Sequence, residues 1–387
     1  MEDFRFYNPT RIYFGNDSLD NLTDELKKDY ERILIVYGRE SIKKNGLYDK
    51  VINILSNLKK TVFELSGVMP NPRLDKVYEG IEICKKENID FILAIGGGSV
   101  IDCAKAISVG AKTDKDVWDE YYVNKRECGD TLPIGSILTL AATGSEMNND
   151  SVITNWNSHT KLNYTNDKTY PKFSILNPTY TCTVSKNQTV YGSIDILIHA
   201  FEQYFSYPRE LCLSDCIAEA LIKFVIKNIR KVVEKLDDYD ARSNLMWSSS
   251  MALNGLIGLG KEQDWSSHNI SHALSALYDI PHGASLSIIF PAWMEYVYKK
   301  DIPKFKRYAI EVWNVTSDGK TDEEIALLGI NKTKEFFEFL GAPTSLKDVN
   351  ISEEDIDKLV NLVDIDNAGS YIKITEDDVK QILLNCL

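Results

Sequence analysis

The 387-residue chain has five histidines, His159, His199, His268, His272 and His282, and four of them fall in two short segments. Asp195 and His199 stand at i and i+4, so a helix would point both side chains from one face. His268 and His272 repeat that spacing, and His282 follows Pro281, where a helix has ended and the chain turns. One carboxylate and two or three imidazoles from separate elements are the usual ligands of a catalytic divalent metal. Each element also has a plainer reading. An Asp–His pair caps or decorates a helix, an H-x-x-x-H lacks the glutamate of metalloproteases, and a histidine between Pro and Gly is commonly a turn residue. The concentration of four histidines in two segments favours the metal. Residue types alone do not say which three imidazoles coordinate.

A second chemical signal is Gly96-Gly97-Gly98-Ser99, which joins an apolar strand to a helix expected from about Val100. Free N–H groups at a helix start bind anions, and glycines let a diphosphate approach the backbone. The triplet is neither the G-x-G-x-x-G fingerprint nor a Walker loop, and it reads equally well as a tight turn. Asp102 and Lys105 share a face of that helix, with a surface ion pair as their plain reading.

The elements that must position these residues divide the chain. Arg32–Tyr37, Phe91–Ile95 and Ile134–Leu140 are continuous apolar strands separated by helical periodicity, which predicts a mostly parallel sheet covered on both faces. Beyond Pro178 nearly every segment has a helical period, from 186–205 and 210–236 through 240–258, 264–278 and 284–298 to 375–385. Ser185 and Gln188 form a capping-box signature. The expected organisation is an α/β domain over 1–180 and an all-α domain over 181–387.

Composition narrows the function. Forty-four Lys and Arg against 57 Asp and Glu give a net charge of −13, with no basic stripe, which argues against nucleic acid. No apolar run approaches the ~20 residues of a membrane span. The acidic N-terminus does not resemble a signal peptide, and seven scattered cysteines without a C-x-x-C pair suit a reducing cytoplasm.

Ordered along nearly the whole chain are G-G-G-S-x-x-Asp102-x-x-Lys105, Thr139-Leu140-Ala141-Ala142-Thr143-Gly144-Ser145-Glu146-Met147-Asn148, Tyr170–Pro178, Asp195-x-x-x-His199, and Asp264-Trp265-x-x-His268-x-x-x-His272 with Asp279-Ile280-Pro281-His282-Gly283. With these motifs the chain resembles the iron-containing (group III) alcohol dehydrogenases, in their butanol dehydrogenase-like branch. The resemblance implies a dehydroquinate synthase-like fold, with an N-terminal dinucleotide domain, a C-terminal helical domain and an active site in the cleft between them. It implies Asp195, His199, His268 and His282 as ligands of one Fe²⁺ or Zn²⁺, and it puts His272 near nicotinamide and substrate. Gly97, Gly98 and Ser99 would receive the diphosphate. Thr139, Thr143, Asn148 and Lys161 would surround the ribose and nicotinamide, and Asn71 would lie near the adenosine end.

One departure bears on the cofactor. Gly38-Arg39-Glu40-Ser41 stands where many branch members have Gly-Gly-Gly-Ser. An acid at this place suits the 2′-hydroxyl of NAD(H), whereas donors or a cation suit the 2′-phosphate of NADP(H). Arg39 and Ser41 favour NADP(H), with Glu40 opposing.

The resemblance implies reversible hydride transfer between NAD(P)H and a small aliphatic aldehyde or primary alcohol of about three to six carbons. The metal, held by Asp195 and the histidines, would bind the substrate oxygen as a Lewis acid, and the proton would leave through His272, or through the ribose hydroxyl and water with His272 nearby. Trp156, Trp247, Trp265 and Met251 are candidates for an apolar lining. A homodimer joined near Arg11–Phe14 is a further implication of the resemblance. The competing readings are a glycerol or diol dehydrogenase of the same fold, a synthase-type lyase, which would want a Glu-led metal set, and a metal-dependent hydrolase, which has no use for a diphosphate cradle.

Overall fold

Alternation along two apolar strands sets the layers around the sheet. In β2 (Arg32–Tyr37), Leu34 and Val36 join one core, and Ile33, Ile35 and Tyr37 join another. In β4 (Phe91–Gly96), Ile92 and Ala94 take the first side, and Phe91, Leu93 and Ile95 the second. Both faces are therefore covered, as a parallel sheet requires. The computed structural model describes residues 1–207, 210–365 and 368–387. Besides β2 and β4, its sheet contains β1 (Arg11–Phe14), β3 (Thr61–Leu65), β5 (Ile134–Leu138) and β8 (Phe173–Leu176). All neighbours are parallel, in the order β1-β8-β5-β4-β2-β3. The strands β6 (Asp150–Asn155) and β7 (Thr160–Thr165) form a separate antiparallel hairpin.

The chain runs from β2 outward to β3 and returns to β4 on the other side of β2. The helix Leu47–Asn57, after β2, packs in the core on one face of the sheet, and the helix Gly98–Gly110, after β4, packs in the core on the other. The loops after β2 and β4 thus diverge at the carboxyl edge of adjacent strands. Such a switch point is where open α/β sheets bind nucleotides. In the Gly98–Gly110 helix every residue but Ser99 is buried, including Asp102, Lys105 and Ser108, because the sheet lies on one side and β6 on another.

These elements belong to one compact unit, Tyr7–Val184 together with Lys235–Asn254. The second unit comprises Met1–Phe6, Ser185–Glu234 and Gly255–Leu387. Against the expected division into 1–180 and 181–387, Lys235–Asn254 with the helix Tyr239–Ala252 joins the sheet unit, which runs on to Val184, and Met1–Phe6 joins the helical unit. Helical periodicity reports which face a helix buries and not which core receives it. That helix also stops six residues short of the expected 258; Gly255, at φ +89°, lies beyond its end.

The second unit is helical. Its core stacks Phe201 on Phe290, Phe205 on Phe305, and Phe290 on Trp293. The helix Lys186–Tyr204 starts at Ser185, whose hydroxyl accepts the Gln188 N–H at 3.4 Å. The helix Ser266–Tyr278 ends at Asp279, in the left-handed region at φ 56°. The helix His282–Val297 follows at once and carries Pro291 inside it. Among the described residues, no helix is long and apolar enough to cross a membrane.

Candidate active site

In the helical unit three imidazoles converge on one carboxylate oxygen. Asp195 Oδ1 lies 3.7 Å from His199 Nε2, 3.8 Å from His268 Nε2 and 3.6 Å from His282 Nε2. These separations are long for hydrogen bonds. Two ligands each bonded at ~2.1 Å to one tetrahedral cation stand ~3.4 Å apart, close to what is observed. The candidate ligand atoms of Asp195, His268 and His282 all fall within 4.8 Å of one another. His268 Nε2 is buried without a hydrogen-bond partner, as a donor atom reserved for a cation would be. The residues fit a divalent metal.

Local structure explains the convergence. Asp195 and His199 share one face of the buried Lys186–Tyr204 helix, as their spacing predicts. His268 sits in the first turn of the Ser266–Tyr278 helix, and His282 is the first residue of the next helix. The left-handed Asp279 and the extended Pro281 turn the chain between the two helices, and the His282 ring comes within 5.1 Å of the His268 ring. His268 is central among the rings: it stacks on His199 at 4.8 Å and lies 5.1 Å from His282 and 5.3 Å from Trp265.

The electrostatics also suit a cation. Burial pushes His199 down to about 4, so its ring is neutral and offers a lone pair near pH 7. Burial lowers His268 as well, but Glu202 and Asp195 outweigh it and raise the ring to about 9. Two carboxylates in a dry place thus draw positive charge to this spot. His272 is half-buried, 5.5 Å from the His282 ring and 6.4 Å from that of His268, beside the cluster and outside the trio around Asp195.

Glu202 is a residue the sequence reading passed over. It is fully buried, and its Oε2 meets His268 Nδ1. The signal was available, because Asp195, His199 and Glu202 continue one helical stripe at i, i+4 and i+7. Of the apolar candidates, Trp265 packs edge-on against His199 and His268. Trp247 lies against Phe14, and Trp156 lies under Arg73, both in the sheet unit.

In the sheet unit the cofactor candidates gather at the carboxyl edge. Gly38, Arg39 and Ser41 follow β2, Gly97, Gly98 and Ser99 follow β4, and Thr139 and Thr143 follow β5. The helix after β4 begins at Gly98, two residues earlier than expected, so its first N–H groups belong to the glycine loop itself. A Cβ on Gly98 would stand 2.2 Å from Thr143 Oγ1, so only glycine lets these two loops close together. Asn71, held at φ 51°, accepts a hydrogen bond from Lys161 Nζ at 3.1 Å. Arg39 and Ser41 are exposed.

Asp102 and Lys105 are no surface pair. Lys105 Nζ donates to Ser145 Oγ at 2.9 Å, Asn148 Oδ1 at 2.8 Å, Asn148 O at 3.0 Å and Asp150 O at 2.7 Å. Asp102 accepts from Ser145 Oγ at 2.6 Å and from the Val152 N–H at 3.1 Å. Together they fasten the loop that carries Thr143 and Asn148.

Comparison with known proteins shows the family. Residues 9–178 match the model of the iron-containing alcohol dehydrogenases, and residues 189–387 match the C-terminal region of the Fe-containing alcohol dehydrogenase family. The chain belongs to this family. A probable NADH-dependent butanol dehydrogenase 1 of Bacillus subtilis is 45% identical over 384 residues, 99% of each chain. The NADPH-dependent aldehyde reductase YqhD of Escherichia coli is 35% identical over 390 residues, again 99% of each. The crystal structure of NADH-dependent butanol dehydrogenase A from Thermotoga maritima superimposes with a TM-score of 0.95 at 42% identity, covering 100% of this chain and 99% of that one. The α/β unit and the helical unit are thus the architecture of a family known from solved structures.

Proposed function

We propose that the protein is a metal-dependent alcohol dehydrogenase that works as an aldehyde reductase on small aliphatic, butanol-like substrates. The observation that carries this reading is the convergence of three imidazoles on Asp195 Oδ1 at 3.6 to 3.8 Å. Asp195, His199, His268 and His282 would hold one divalent cation, Fe²⁺ or Zn²⁺. When bound, that cation supplies polarisation of the substrate oxygen, and a reduced nicotinamide supplies the hydride.

The chain's own groups do the rest. Asp195 brings a single negative charge to a site of otherwise neutral ligands, which leaves the ion its Lewis acidity. His272 carries the proton to or from the substrate oxygen, beside the ligands and not among them. Gly97, Gly98 and Ser99 receive the diphosphate on free N–H groups, Lys161, Thr139, Thr143 and Asn148 orient the ribose and nicotinamide, and Asn71 lies toward the adenosine end. Arg39 and Ser41 support NADP(H) as the preferred cofactor, since both are exposed beside the glycine loop.

A homodimer is part of the same reading. β1 is one of the two edge strands of the sheet, and Phe14 at its end and the neighbouring Trp247 are 43% and 41% exposed, a surface a second copy would cover. Seven free thiols suit a cytoplasmic setting.

The test is oxidation of NADPH or NADH followed at 340 nm with butyraldehyde, using anaerobic apoprotein with added Fe²⁺ or Zn²⁺. Turnover that needs one of the metals and exceeds that with glycerol or diols is expected. No oxidation of either cofactor with any short aldehyde would overturn the reading.

A further inference from the structure

The His268 ring is held from behind. Glu202 Oε1 accepts the Ser267 N–H at 2.8 Å, the Ser267 hydroxyl at 2.7 Å and the His268 N–H at 3.2 Å, while its Oε2 meets His268 Nδ1. One carboxylate thus caps the start of the Ser266–Tyr278 helix and grips the imidazole in its first turn. Burying a carboxylate is costly unless donors surround it, and here every donor comes from one turn of one helix. His199 has no such support, for its Nδ1 is buried without a hydrogen-bond partner and its ring rests on that of His268.

We propose that Glu202 is the positioning residue of the metal centre: it holds the proton of His268 on Nδ1 and so leaves Nε2, aimed beside Asp195, as the nitrogen that meets the cation. This rests on the metal-site reading above. A carboxylate can only accept, so Nδ1 must donate and the lone pair falls on Nε2. An amide in its place, with its oxygen kept on the helix donors, presents NH₂ to Nδ1. The ring proton then moves to Nε2, which can no longer bind a cation.

The test titrates full-length apoprotein with Zn²⁺ alone against a chromophoric chelator, comparing wild type, Glu202→Gln and His199→Ala, with thermal unfolding and NADPH affinity measured on each. Glu202→Gln is expected to stay folded, to bind NADPH as wild type does and to bind Zn²⁺ ~10- to 100-fold more weakly. A folded Glu202→Gln with wild-type Zn²⁺ affinity overturns the proposal while His199→Ala still loses the metal. If His199→Ala also binds as wild type does, the metal-site reading has failed and the proposal falls with it. If Glu202→Gln does not fold, ¹⁵N-histidine spectra of Zn²⁺-loaded wild type decide. Nδ1–H at His268 with metal on Nε2 supports the assignment, and metal on Nδ1 overturns it.

Discussion

A Cβ on Gly283 would lie 2.0 Å from the carbonyl oxygen of Tyr191, so the His282–Val297 helix meets the Lys186–Tyr204 helix backbone against backbone. Tyr191 lies one turn before Asp195, and Gly283 follows His282. The approach is what leaves His282 Nε2 3.6 Å from Asp195 Oδ1. Gly283→Ala must push the helices apart, since the obstacle is main chain and cannot rotate away. A loss of about 1–3 kcal/mol in urea unfolding is expected, together with weaker Zn²⁺ binding. Wild-type values of both would show that the contact has slack.

Removing a ligand should act on turnover and spare the fold. His199→Ala and His282→Ala leave the cofactor residues of the other unit untouched, so NADPH quenching of tryptophan fluorescence should stay within about twofold of wild type. Butyraldehyde reduction should fall by ~100-fold or more, the equivalent of several kcal/mol of lost polarisation. Wild type stripped by a chelator should fall to the same level and recover on adding metal. A histidine variant that keeps its rate would exclude that residue from the centre.

The candidate histidine cluster was more legible in the sequence than its support. Asp195 with His199 and His268 with His272 were visible because helical spacing is rigid, and β2, β4 and β5 because fully buried parallel strands are continuous apolar runs. The hairpin β6–β7 was not legible, since partly buried strands rich in Asn and Thr have neither a long apolar run nor a tight-turn dipeptide. Asp102 and Lys105 passed for a surface pair because no local pattern says that a hairpin will bury the outer face of their helix. Glu202 was overlooked because an acid one turn past a histidine is ordinary on any helix. Its partner His268 stands 66 residues away and is supplied only by folding.

Lys105 should make cofactor binding sensitive to alkali. Burial pushes its ammonium down to about 8, against the pull of Asp102, Asp150 and Glu146, the acids around it. Between about pH 8 and its ordinary 10.5 the unfolded chain holds a proton that the folded chain has released. This group's contribution to stability therefore rises with pH across that window. The loop does the opposite, because the lost proton is a donor to Ser145, Asn148 or Asp150. NADPH affinity is expected to fall above about pH 8 in wild type. In Lys105→Met it should be weaker throughout and flat across the same range. An unaltered alkaline limb in Lys105→Met would move the effect to another group.

Arg39 is the test of cofactor choice. It is exposed, it follows the strand adjacent to the glycine loop, and its neighbour Glu40 carries the opposite charge. A 2′-phosphate within reach would gain a charge-assisted hydrogen bond from the guanidinium, whereas a 2′-hydroxyl has no charge for it to pair with. Arg39→Ala should therefore lower kcat/KM for NADPH by roughly 10-fold or more and leave that for NADH nearly unchanged. Glu40→Ser should shift the ratio the other way by removing repulsion from the phosphate. The measurement is the NADPH-to-NADH ratio of kcat/KM at low ionic strength and again at high salt, where the Arg39 advantage should shrink. If wild type prefers NADH and Arg39→Ala leaves the ratio where it was, the guanidinium points to solvent and the assignment to NADP(H) is wrong.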